Sequence, residues 1–448
     1  MVRIITYGTF DLFHEGHKNI LKRAKEQWDY LIVWVTSENY DKLRGKLNVT
    51  QSLVERIENV KKSGFADKII VEEYFGQKIE DIKKYWIDKF VIWSDWLGKF
   101  DYLKEYCEVV YLERTKWVSS TQLRNSENWI LKLWCVWAWR IAERMCKESK
   151  YVSGISFDYV YGRNEQKIKE FSEKNDLSYY STDFDDFLNK VDAIYVATPH
   201  VTHYAFTKRA LESKKHVLCE KPLTLKKNEC EELYKIAKEN KVILYEAIKT
   251  VYTPAFNRMI ALAKSWIIGE IKDIDATFTK LVSDKAWREF DKKLCWWSVT
   301  ELASYPLVII FKLLGVDYKN ISFYSYCWNM DVDLYTKILL KYRTAIATAN
   351  IGIGVKKEGE LVISWTKWYI YVPAPWWKTE YFEVRFENLN ETEKYFYKFD
   401  GDGLRYELSE FLKSIITKTE NIYLKPEESI AISGVIEHFN KSVNKNAI

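Results

Sequence analysis

The polar and apolar positions of residues 1 to about 125 fall into short unbroken hydrophobic runs separated by amphipathic stretches. The runs are RIITYG from Arg3, YLIVWV from Tyr30, KIIVEE from Lys68, FVIW from Phe90 and VVYLE from Val109. Helical spacing fills the gaps, to about Gln27, over Leu53 to Ser63 and near Ile79 to Tyr85. Unbroken runs belong to strands buried on both faces, and strands alternating with helices predict a covered parallel sheet. Ligands of such a sheet sit at the carboxyl ends of its strands.

A polar junction, SENWI at 126 to 130, leads into a second alternating segment: LKLWCV from Leu131, SFDYVYGRN from Ser156, DAIYVATPHVTHY from Asp192, KHVLCEKPL from Lys215 and VILYEAI from Val242. After about residue 255 the period changes to two, in DIDATFTKLV, DLYTKILLKY, TAIATANIGIGV, ELVISW and YFEVRFE. That alternation predicts an open antiparallel sheet, followed by a helix near Gly403 to Ile416. The expected organisation is α/β over residues 1–126, a second parallel α/β domain over 130–252, and an α+β domain over 253–448.

Composition narrows the class. Hydrophobic residues at 47% and charged residues at 29% are those of a folded globular protein. No apolar run of about 18 residues predicts a membrane span, and the chain enters a strand too early for a signal peptide. Seven scattered cysteines without paired spacing point to a reducing cytoplasm. A net charge of +5 is mild, and no basic block suggests nucleic acid. A homo-oligomer is left open.

Chemistry first shows at Tyr7 to His17, YGTFDLFHEGH, between a strand and a helix start. Backbone N–H groups and the positive end of a helix dipole converge there, and a phosphate fits. His14 and His17 can lie side by side and face the same anion. A metal pair is the alternative, but a zinc site needs three or four ligands and no nearby Cys or His completes one.

With GTFDLFHEGH go Glu55-Arg56, SDWLGKFD from Ser94 and ERTKWVSST from Glu113. In order and spacing these resemble glycerol-3-phosphate cytidylyltransferases, whose fold is a Rossmann-like HxGH nucleotidyltransferase domain. The resemblance implies CTP with Mg²⁺ and a polyol phosphate as substrates. His14 and His17 would stabilise charge on the α-phosphate, with Lys46 and Arg114 as further catalytic cations. Gly8, Thr9, Phe10, Asp11, Gly16, Asp95, Ser119, Ser120 and Thr121 would bind the nucleotide, and Arg56 the acceptor phosphate. An ethanolamine-phosphate or adenylyl transferase of the same group stays open.

The second half resembles the glucose-fructose oxidoreductase and inositol dehydrogenase family, through ATPHVTHY at Ala197 to Tyr204, CEKPL at Cys219 to Leu223 and EAI from Glu246. This implies a Rossmann NAD(P) domain and hydride transfer at a sugar or polyol carbon. Lys221, Glu301 and Tyr305 would be catalytic. The cofactor would be held by Trp137, Trp139, Arg140, Arg163, Thr198, Pro199, His203 and Glu220. Tyr161-Gly162-Arg163-Asn164 offers an arginine where NAD enzymes present an acid, which favours NADP over NAD.

Trp137-Ala138-Trp139 occupies the dinucleotide fingerprint, where the backbone must approach a pyrophosphate with no side chain between. The same exchange recurs. Trp28, Trp34, Trp86, Trp93, Trp117, Trp129, Trp134, Trp137, Trp139, Trp266, Trp296, Trp297, Trp365 and Trp368 all stand where the resemblance asks for glycine. The chain has 16 glycines and 19 tryptophans. Returning those fourteen to glycine restores a share close to the usual ~7%. Decay to a non-catalytic binding domain, deliberate mutation, or a gene whose UGA codons specify glycine but were read as tryptophan are the competing explanations. Decay scatters over residue types, whereas here one exchange recurs, which favours the codon reading.

Overall fold

The computed structural model describes residues 2–37, 40–41, 49, 51, 53–74, 76–113, 130–136, 140–264, 270–282, 297–328 and 332–442. The chain divides into two compact units, Met1–Ile130 and Leu131–Ile448.

In the first unit the apolar runs become β1 (Arg3–Gly8), β2 (Tyr30–Thr36), β3 (Lys68–Glu72), β4 (Lys89–Trp93) and β5 (Glu108–Leu112), all parallel, in the order β3-β2-β1-β4-β5. Their central residues are buried on both sides, as unbroken apolar runs require. Helix Glu15–Gln27 buries Ile20, Leu21 and Ala24 against one face of the sheet. Burying Ile20 and Leu21 contributes about 1.5–3 kcal/mol each. The strand order reverses between β1 and β4, so the loop leaving β1 opens at the switch point.

The second unit carries another parallel sheet. It comprises β6 (Leu131–Val136), β7 (Ile155–Ser156), β8 (Tyr159–Tyr161), β9 (Tyr179–Ser181), β10 (Ala193–Val196), β11 (His216–Glu220) and β12 (Leu244–Ala247), in the order β12-β11-β10-β6-β8-β9 with β7 beside β6. Its switch point lies between β6 and β10. An eight-stranded sheet follows: β13 (Ile271–Thr279), β14 (Asn320–Trp328), β15 (Val332–Lys341), β16 (Ile346–Gly352), β17 (Leu361–Trp365), β18 (Trp368–Val372), β19 (Tyr381–Phe386) and β20 (Glu393–Phe396), in the order β14-β15-β16-β13-β17-β18-β19-β20. The sheet is mixed, not purely antiparallel as expected, because β13 pairs with β16 in parallel. Helices Ser298–Leu302 and Ser304–Leu314 pack on one face, and Tyr324 and Tyr326 are exposed.

Helix Leu404–Thr417 is clamped to helix Arg140–Ser149 by a buried ion pair: Arg405 donates from Nε to Glu148 Oε2 and from Nη2 to Oε1, each at 2.9 Å. Among the described residues no helix is long and apolar enough to cross a membrane, and Cys107, Cys135, Cys146, Cys219, Cys230 and Cys327 are free thiols.

Candidate functional site

In the first unit β1 ends at Gly8, where a Cβ would come within 3.0 Å of the Phe10 ring. The turn then passes through left-handed backbone at Phe10 and Leu12 and delivers His14 to the N-cap of helix Glu15–Gln27. There His14 Nδ1 accepts from the Gly16 N–H at 3.1 Å, and His17 Nδ1 accepts from the His14 N–H at 3.4 Å. The imidazoles stack with centroids 3.9 Å apart. Because both Nδ1 atoms accept from the backbone, each neutral ring carries its proton on Nε2. Two N–H donors oriented at a helix N-terminus, at a switch point, are an arrangement that suits an anion.

The turn is held from behind. Arg56 Nη1 donates to Thr9 O and Thr36 O, both at 2.8 Å, its Nε donates to Gln51 O at 3.1 Å, and Asp41 lies at 3.5 Å. Thr9 Oγ1 donates to Asp41 Oδ1 at 2.8 Å, and Asp11 Oδ1 accepts from Gln51 N at 2.9 Å. One expectation changes, that for Arg56. Arg56 is fully buried and serves as a strut behind the loop instead of reaching an acceptor phosphate, and the side chains of Phe10 and Asp11 also face inward. Lys46, Arg114, Ser119, Ser120 and Thr121 lie outside the described residues, as do Trp137 and Trp139. Asp95 sits on the short helix Ser94–Trp96.

In the second unit a cleft of about 900 Å³ opens where β10, β11 and β12 end, facing the sheet domain. Lys221 follows β11 and donates from Nζ to Glu301 O at 2.7 Å, while Glu301 Oε1 lies 3.2 Å away. His200 Nε2 is 3.3 Å from Glu301 Oε2. Burial alone would raise the Glu301 carboxyl, but Lys221 and His200 outweigh it and hold it well below the carboxylate range. Tyr305 lines the same cleft. Burial, and then the carboxylates of Glu220, Glu407 and Glu301, push its phenol well above 10, so it stays protonated. Glu220 accepts from Tyr195 OH at 2.5 Å, and burial raises its pKa against the opposing charge of Lys221.

Lys221, Glu301, Tyr305, Glu220, Thr198 and Arg140 therefore meet in one cleft. Pro199 N-caps helix His200–Glu212 beside it. His203 plays a different part from the one expected. It is fully buried, with Nδ1 and Nε2 each 2.8 Å from a carbonyl, those of Pro222 and Thr198. Burial and His200 lower its pKa to about 3, so the neutral ring donates to one of the two at a time and braces the EKP turn. Arg163 is exposed just past β8, after Gly162, where a Cβ would meet Ile168 at 2.5 Å. Sequence reasoning missed His200, although its neighbour motif was recognised, and Lys249, which is buried in the cleft and donates to Asp402 O at 2.6 Å.

Two family descriptions match this chain: "Cytidylyltransferase-like" over residues 5–182, and "Oxidoreductase family, NAD-binding Rossmann fold" over residues 141–248. A glycerol-3-phosphate cytidylyltransferase of Bacillus spizizenii is 47% identical over 125 residues, which are 28% of this chain and 96% of that protein. The chain belongs to the glycerol-3-phosphate cytidylyltransferase family. This cytidylyltransferase is fused to an oxidoreductase part. There the chain is 26% identical over 211 residues to a Bacillus subtilis scyllo-inositol 2-dehydrogenase (NADP(+)), covering 45% of this chain and 63% of that one. The fold of an Actinomadura kijaniata 3-ketoreductase, solved with NADP and TDP-benzene, matches with a TM-score of 0.61 at 19% identity, over 71% of this chain and 98% of that one.

A nicotinamide dinucleotide suits the crevice at the β6/β10 switch point of this fused cytidylyltransferase. Thr198, at the end of β10, lines it with Oγ1 buried and no hydrogen-bond partner among the described residues, a polar atom in want of a ligand.

Proposed function

We propose that the first unit transfers the cytidylyl group of CTP to the phosphate of glycerol 3-phosphate or a closely similar polyol phosphate. The stacked His14–His17 pair carries this reading. An acceptor phosphate oxygen attacks the α-phosphorus in line, the bond to the bridging oxygen of the β-phosphate breaks, and pyrophosphate leaves. Charge building on the α-phosphoryl oxygens meets the two Nε2–H donors, so the protein contributes positioning and electrostatics. Lys46, Arg114 and the Ser119 to Thr121 hydroxyls are proposed to hold the remaining phosphates, and Mg²⁺ to enter with CTP. Arg56 acts as a positioning residue. The test is His14→Ala, which abolishes turnover and leaves CTP binding within a few-fold; unchanged turnover contradicts the role.

The second unit is proposed to oxidise or reduce a sugar or polyol carbon. When bound, the nicotinamide accepts or supplies the hydride, and Arg140, Thr198, Pro199 and Glu220 are proposed to hold the cofactor. Lys221, oriented by Glu301, binds the substrate oxygen, and the protonated Tyr305 donates to it in the reducing direction. Arg163 favours NADP over NAD; Arg163→Ala should weaken NADP selectively, and equal losses for both cofactors contradict that preference. A joint task follows, in which one half makes or consumes the polyol phosphate that the other activates as a CDP derivative in the cytoplasm.

A further inference from the structure

The oxidoreductase cleft holds more positive charge than hydride transfer uses. Lys221 is tied to Glu301, and Arg144 lies 3.6 Å from Asp402. On the sheet side, Thr279 and Lys357 bond each other reciprocally: Thr279 Oγ1 donates to Lys357 O at 2.8 Å, and Lys357 N donates to Thr279 Oγ1 at 2.9 Å. The residues adjoining this bridge, Lys280 and Lys356, both line the cleft with exposed side chains, and neither has an ion-pair partner among the described residues. Lys378 lines the same cleft and shares Asp402 at 3.1 Å. The acids lining the cleft, Glu220 and Glu301, are already engaged by Tyr195 and Lys221.

We propose that Lys280, Lys356 and Lys378 form an anion subsite that takes the phosphate of a phosphorylated sugar or polyol, with the reacting carbon at Lys221. This rests on the reading of the second unit as an oxidoreductase. Three ammonium groups lining one concavity suit a phosphate dianion, whereas an uncharged polyol leaves Lys280 and Lys356 uncompensated. The assay follows NADP⁺ and NAD⁺ reduction by the full chain with glycerol, ribitol, their phosphates and their CDP derivatives. The double variant Lys280→Ala, Lys356→Ala should raise KM for the phosphates by about tenfold or more with little change in kcat. Its KM for the free polyols should hold. A preference for the CDP derivatives that the variant abolishes places a diphosphate in the subsite. Equal use of free and phosphorylated polyols, or an unchanged KM in the variant, overturns the subsite. No reduction of either cofactor by any of them overturns the oxidoreductase reading itself.

A separate set of observations concerns the tryptophans. Among the described residues, four indole N–H groups are buried without an acceptor: those of Trp34, Trp134, Trp297 and Trp365. All four belong to the fourteen that stand where glycine is expected. Trp376 does not belong to them; it is fully buried and donates to Thr277 O at 2.8 Å. Trp86, another of the fourteen, sits in left-handed backbone (φ 54°, ψ 58°) after helix Gln77–Tyr85 and is 79% exposed. The indole N–H that the pattern keeps is hydrogen-bonded, whereas four that it questions are buried without an acceptor, even where the ring packs on a neighbour, as Trp34 does on Tyr7 and Trp134 on Tyr159. We infer that the native polypeptide carries glycine at Trp34, Trp86, Trp134, Trp297 and Trp365, through UGA codons read as tryptophan. Tandem mass spectrometry of the protein from its native source should find glycine at these five and tryptophan at 376. Tryptophan at the five, or glycine at 376 as well, overturns the inference.

Discussion

The unpaired indoles make a stability prediction that runs against ordinary expectation. Trp365 and Trp376 lie in the same unit, at 7% and 0% exposure. Truncating a buried aromatic normally costs about 3–5 kcal/mol. For Trp376→Gly the carbonyl of Thr277 also loses its donor, about 1–3 kcal/mol more, so the loss is about 4–8 kcal/mol. For Trp365→Gly one term opposes the loss: a buried N–H without an acceptor is removed, worth about 1–3 kcal/mol. The net loss is about 2 kcal/mol, and the two variants should differ by about 4 kcal/mol. In a unit of this size that is a Tm gap on the order of 10 °C. Urea unfolding and thermal scans of the full chain, with glycine at the other thirteen positions in question, measure it. Equal destabilisation by Trp365→Gly and Trp376→Gly would refute the reasoning.

Other consequences are more local. Asp333 is fully buried, and burial raises its pKa from 3.8 to about 7 despite hydrogen bonds from Thr336 and Val299. The native state therefore keeps a proton that the unfolded chain releases near pH 4. Stability should fall between about pH 4 and pH 7, by up to ~1.4 kcal/mol per pH unit. Asp333→Asn should flatten that slope in denaturant titrations; an unchanged slope refutes the assignment. Arg405→Ala leaves Glu148 buried and unpaired and should cost about 3–5 kcal/mol in urea unfolding, whereas a loss below about 1 kcal/mol would mark the pair as a surface contact. Lys221→Met should cut kcat/KM of the oxidoreductase by at least about 100-fold while NADP binding stays within a few-fold, and equal loss of both would point to a purely structural lysine.

The parallel sheets were legible because strands buried on both faces need unbroken apolar runs, and those runs mark Ile4 to Thr6 and Ala193 to Val196 without ambiguity. Strand direction was not legible: alternation reports which face is buried and is blind to whether β13 runs with or against β16. Helix Pro426–Ser442 escaped the hydrophobic pattern because its buried face includes Ser429 and Ser433 beside Ile432 and Phe439, and small hydroxyls do not mark a core. At the sites, the residue types of His14, His17 and Lys221 announced their chemistry. Arg56 misled, because a charge in a helical stretch reads as surface or ligand-facing until the carbonyls of Thr9, Thr36 and Gln51 are seen to surround it. His200 was hidden by its companion His203, since only tertiary contact shows which of the two reaches Glu301.

The central claim is that this chain performs cytidylyl transfer through the β1 turn, and its most direct test is pyrophosphate release. Purified full chain mixed with CTP, Mg²⁺ and glycerol 3-phosphate should release one pyrophosphate per CDP-glycerol formed, with no release when the metal or the acceptor is omitted. CTP consumption without CDP-glycerol, or no pyrophosphate from any polyol phosphate, would contradict the account.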